Sequence, residues 1–163
     1  MTTSRVDKPT PATVRTVAWI AVGFAVVAVL VQLFYTVVLA PRLPASFDIA
    51  VTGQYQSGAI GATPGGLAVF GYLFVAVALV AAIAAVILSR VGSNAAYATG
   101  VLVSLFVPAY IGFLLGSVFS ILSSDDSRAS GASIYFGIGV AIGFVALYFA
   151  PRFTRRGSQP VTR

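Results

Sequence analysis

"AAYATGVLVSLFVPAYIGFLLGSVFSIL", residues 95–122, runs for 28 residues without a charged side chain. A helix rising ~1.5 Å per residue needs roughly 20 residues to cross the ~30 Å hydrocarbon core of a bilayer, so this stretch is long enough to span one. Its small residues are ordered. Ala96, Gly100, Ser104, Pro108, Gly112, Gly116 and Ser120 recur at every fourth position. At about 100° per residue each step of four advances by ~40°, so three or four consecutive members share a face before the stripe winds around the helix. Small residues let backbones approach closely in lipid, commonly through right-handed crossings. The stripe therefore predicts the central packing helix of a membrane bundle. Pro108 lacks the N–H that the Ser104 carbonyl would accept and predicts a kink at mid-span. Tyr110, the only tyrosine well inside an apolar run, needs a partner for its hydroxyl.

Working outward, three more stretches have the same character: 16–40, 65–89 and 132–150. The chain of 163 residues is 58% hydrophobic and only 9% charged, with a mean hydropathy of +0.97. A soluble domain carries about 25% charged residues, so the surface needed for water is missing. Segments of ~10 residues alternating in polarity, the mark of a membrane β-barrel, are absent. The expected fold is all-α, a bundle of four transmembrane helices. Its parts are a polar tail over 1–13, a membrane domain over 14–151 and a basic tail over 152–163. "RVGSN" (90–94) and "SSDDSRASG" (123–131) are short connections that predict antiparallel hairpins. Span four adds Gly139 and Gly143 as a G-x-x-x-G pair, with Gly137 and Ala141 four apart beside it; span two adds Ala78, Ala82 and Ala81, Ala85. These faces serve either the bundle's own packing or another protein's helix.

The net charge of +6 is distributed by position. Eight basic residues (Arg5, Lys8, Arg15, Arg90, Arg152, Arg155, Arg156, Arg163) fall on one side of the spans; Arg42 and Arg128 fall on the other. This is the positive-inside bias, and it predicts both termini in the cytoplasm of a plasma-membrane protein rather than a nucleic-acid partner. Nine of the ten basic residues are arginine, and Ala, Val and Gly abound, which predicts a bacterial source. Span one far exceeds the 7–15-residue apolar core of a signal peptide and is expected to be a retained helix. Trp19, Tyr97 and Tyr148 on the inner side, and Tyr35, Tyr72 and Tyr135 on the outer, are expected to form interfacial aromatic belts.

The external loop, 41–64, is the one long polar break. Its two prolines in "PRLP" should end span one. "SFDIAVT" then alternates, with Phe47, Ile49 and Val51 on one side and Asp48, Ala50 and Thr52 on the other; Gly53 can turn the chain and "QYQ" (54–56) can return as a second strand. This predicts a small cap, a β-hairpin resting its apolar face on the helix ends and presenting Asp48, Gln54 and Gln56 to a partner. Leu43–Pro44 directly after a first span, followed by an aromatic and Gly53, resembles the N-terminal unit of the SdpI-like immunity and signalling membrane proteins. In that family the loop also carries a His beside an aromatic and a later Asp-Gly; both are missing here. The resemblance covers about a dozen residues and implies an immunity or signalling role.

Cysteine, histidine and glutamate are absent, so a disulfide frame and the usual acid–base and metal-binding groups are absent with them. Asp125 and Asp126 beside Arg128 read as a solvated charge cluster, since carboxylates at i, i+1 diverge. No catalytic residue, cofactor or metal is expected. Coupled transport normally leaves an ionisable group inside the membrane, and the spans contain none. Gln32 is the strongest polar group within them: it is either a hydrogen-bonding link between helices or, with Tyr110, part of a ligand pocket. Two functions follow. One is a non-catalytic accessory, assembly or immunity-type subunit that binds other membrane proteins or a second copy of itself. The other is a small transporter or channel for a neutral or lipophilic molecule.

Overall fold

The computed structural model describes residues 10–43, 47–48, 61–62, 64–122 and 131–156. Four helices are long and apolar enough to cross a membrane: α1 (Pro11–Phe34), α2 (Pro64–Ser89), α3 (Asn94–Leu122) and α4 (Gly131–Arg156). The architecture is all-helical and compatible with an integral membrane protein. Large apolar side chains cover its outside, including Leu30, Val37, Leu73, Val77, Phe106 and Phe144.

The helix ends follow from local chemistry. Pro11 opens α1, and the Thr10 hydroxyl accepts from the Thr13 N–H at 3.3 Å. The helix therefore starts inside the segment expected to be a tail. Its continuation stops at Arg42, inside the expected "PRLP" stop, with Leu43 extended. A π-helical turn over Tyr35–Leu39 and a 3₁₀ turn over Ala40–Arg42 lead from α1 to that end, with Pro41 in the opening positions of the 3₁₀ turn. The α2–α3 connection is a Schellman turn: Gly92 N–H reaches Ser89 O, Ser93 N–H reaches Leu88 O, and Gly92 sits at φ +70°. The Ser93 hydroxyl then caps α3 by accepting from Ala95 N–H at 3.2 Å. At the far end, α4 remains helical through Pro151 to Arg156, beyond the expected limit at 150.

Helices α1 and α3 each pack against the other three, most extensively α3 against α4, whereas α2 and α4 scarcely touch each other. Accordingly 56% of the α3 span is buried but only 17% of the α4 span. The buried positions of α1 are Val14, Val17, Ala18, Ala21, Ala25, Ala28 and Gln32; apart from Val17 they run in alternating steps of four and three, which Tyr35 of the following π-helical turn continues. Those of α2 are Ala68, Gly71, Val75, Ala78, Ala82, Ala85 and Ser89, in the same alternation. This is a heptad seam, filled mainly by alanine so that the two helices can approach closely in a medium offering no hydrophobic drive. Continued regularly, the α1 heptad would place Arg42 in the seam. The π-helical turn inserts one residue into the phase; Arg42 is exposed, and Leu43 packs against the core.

The cap expected from the loop is not supported. Phe47–Asp48 (β1) pairs antiparallel with Gly61–Ala62 (β2), Phe47 opposite Ala62, and this two-residue ladder is the loop's only strand pairing among the described residues. Two residues per strand cannot sustain a hairpin independently. The expected return strand at 54–56, with Pro44, Gly53, Gln54 and Gln56, lies outside the described residues.

Candidate functional site

A polar node lies inside the bundle near the loop end, where α1, α2 and α3 converge. Gln32 is fully buried on α1. Its Nε2 donates to the Ala68 carbonyl of α2 at 3.1 Å, and its Oε1 accepts from the Tyr110 hydroxyl of α3 at 2.6 Å. The Tyr110 ring packs on Phe74 of α2 with centroids 4.5 Å apart. Gly71 makes room for this node: a Cβ there would collide with the Tyr110 hydroxyl and the Gln32 amide. One turn along α1, the Thr36 hydroxyl donates to the Gln32 carbonyl at 2.9 Å. Tyr35 is 1% exposed and belongs to this buried cluster rather than to an interfacial belt. Its place in the α1 heptad, three residues after Gln32, turns it inward. Trp19, Tyr72 and Tyr148 are exposed on the bundle's outside.

Gln32 and Tyr110, candidates for ligand contact, are thus brought together and bonded to each other. The amide and the phenol thereby link α1, α2 and α3 through hydrogen bonds.

The second convergence is the α3–α4 interface, where backbone meets backbone. A Cβ on Gly112 would strike the Tyr135 carbonyl; one on Gly139 would strike the Pro108 carbonyl; one on Gly143 would strike the Ser104 carbonyl. The Ser104 carbonyl is the acceptor that Pro108 leaves without its helical donor, and the Gly143 backbone covers it. Such close approach suits Cα–H···O contacts. The Ser104 hydroxyl is buried without a hydrogen-bond partner among the described residues. Gly100, earlier in the stripe, faces α1 instead, where a Cβ would lie 2.9 Å from Val17 Cγ1. The stripe thus changes partner as it winds. Gly116 is buried further along it. The faces through Gly100, Ser104, Pro108, Gly112, Gly139 and Gly143, candidates for binding another protein, are covered within this chain. Gly137, beside them, points to open space.

Sequence reading missed Ala68, Gly71 and Phe74. The signal was present: small residues at 68, 71, 78, 82 and 85 keep the three-four alternation, of which only the four-residue pairs stand out by eye. Compared with protein-family models, curated proteins and solved structures, the chain matches none.

Proposed function

We propose that the chain is a non-catalytic integral membrane protein acting as an accessory, assembly or immunity-type subunit. The observation that carries this reading is the self-sufficiency of the bundle interior. Gln32 and Tyr110 bond each other and Ala68, and the small-residue faces of α3 and α4 close on one another. Contacts with a partner then fall to the outward helix faces and to the 41–64 loop, whose length exceeds what a connector requires. The Leu43–Pro44 resemblance to the SdpI-like proteins points the same way.

A tagged pull-down from native membranes tests the reading. Replacing residues 47 to 56 by a Gly/Ser linker of equal length should abolish co-purification of a stable partner while leaving the bundle folded. Ligand-dependent thermal stabilisation of the isolated protein, with no partner recovered, would favour the transporter instead. The eight-to-two basic asymmetry further supports both termini being cytoplasmic. A cysteine placed at Ser57 should label from outside, and one at Ser158 only after permeabilisation; the reverse pattern would overturn the orientation.

A further inference from the structure

The four helices alternate in direction. Gln32 late in α1 meets Ala68 early in α2, and Ser104 early in α3 meets Gly143 late in α4. One end of the bundle therefore gathers the start of α1, the α2–α3 turn and the end of α4. Five basic positions of the described helices and turns lie there: Arg15, Arg90, Arg152, Arg155 and Arg156. The only acidic residue among the described residues, Asp48, lies at the opposite end, so Arg15 and Arg90, both exposed, have no described carboxylate to pair with. The charge-free run of α4 ends before Arg152, yet the helix continues to Arg156. Positions 152, 155 and 156 thus occur at i, i+3 and i+4, on one side of the helix. Exposed aromatics sit one turn inward on two helices: Trp19 four residues after Arg15, and Tyr148 four residues before Arg152.

We infer that this end of the bundle binds the headgroups of anionic phospholipids, with the last turns of α4 as the main contact. The inference rests on the membrane reading above. A charge bias that served only to orient the chain would not need its basic positions to continue the transmembrane helix. Here the basic positions fall on helix ends and a helix-joining turn, with no acidic residue at this end among the described residues, and exposed aromatics suited to the headgroup layer lie nearby; anionic headgroups supply the complementary charge.

Trp19 is the single tryptophan and lies at this end, which makes it a native probe. The full chain is reconstituted in phosphatidylcholine vesicles containing an equal mole fraction of either brominated phosphatidylglycerol or brominated phosphatidylcholine, and Trp19 quenching is compared. The anionic lipid should be enriched around Trp19 by roughly fivefold, the factor expected for about one arginine's worth of headgroup attraction. The preference should vanish in the combined variant Arg15→Gln, Arg152→Gln, Arg155→Gln, Arg156→Gln. It should survive Arg42→Gln at the other end. Equal quenching of the native chain by the two lipids, or a preference that persists in the combined variant, would overturn this inference alone. Absence of quenching by either lipid would overturn the membrane reading along with it.

Discussion

The α1–α2 and α3–α4 seams both join neighbouring antiparallel helices, but they are built on different repeats. In the first, buried positions alternate in steps of three and four, and alanine methyls fill most of them. In the second, the contacts run in steps of four, and glycines lay one backbone against the other. A 3.5-residue repeat keeps a seam aligned along two helices that coil around each other left-handedly. A four-residue stripe drifts around its helix, which suits a short crossing and then a change of partner. Hence Gly100 serves α1 whereas Ser104, Pro108 and Gly112 serve α4. Except at Gly71, where a Cβ would strike the polar node, the alanine seam tolerates side chains because Cβ atoms form it. The glycine seam excludes them.

The largest expected effect tests that exclusion. Gly112→Leu would drive a side chain into the Tyr135 carbonyl and should separate α3 from α4, with loss of a folded bundle in thermal melts. Leu102→Phe, at an exposed position on the same helix, should stay within about 0.5 kcal/mol of the parent. If the two variants melt alike, the backbone contact is not what holds α4.

A smaller effect sets the glycine seam against an open helix position. Gly139→Ala adds one methyl against the Pro108 carbonyl and should destabilise by about 1–3 kcal/mol through overpacking. Gly23→Ala, where nothing lies within 4 Å, should be neutral or slightly stabilising, since alanine is the better helix former by ~1 kcal/mol. Opposite signs in chemical denaturation would sharpen the contrast, and equal signs would break it.

The smallest effect concerns the polar node that ties α1 and α2 to α3. Gln32→Leu and Tyr110→Phe should each cost about 0.6 kcal/mol, within ~2 kcal/mol at most, since hydrogen bonds between membrane helices contribute little net. The pair should be strongly non-additive in a double-mutant cycle, because either change alone already removes the same bond. Strict additivity would show that the 2.6 Å contact does not link the helices energetically.

Four apolar runs, their approximate limits and the central place of α3 were legible in the amino-acid sequence, because span length and the four-residue stripe are local properties of a helix in lipid. The helix ends were less legible. Thr10 and Pro11 read as tail, although they form an N-cap and a first turn. The Ala68–Ser89 alternation was also present in the chain, hidden among the many other alanines of α2.

Tertiary structure alone decided which candidates meet. Gln32 and Tyr110 stand 78 residues apart, and nothing in either local sequence says that one completes the other. That pairing depends on Gly71 of a third helix leaving space for both. Likewise the glycines of α4 looked equally ready for a foreign helix, and only the docking of Gly139 and Gly143 on the Pro108 and Ser104 carbonyls shows them engaged. The physical reason is common to both cases. Sequence period determines which residues share a face, but the partner of that face is chosen by close packing across helices distant in the chain.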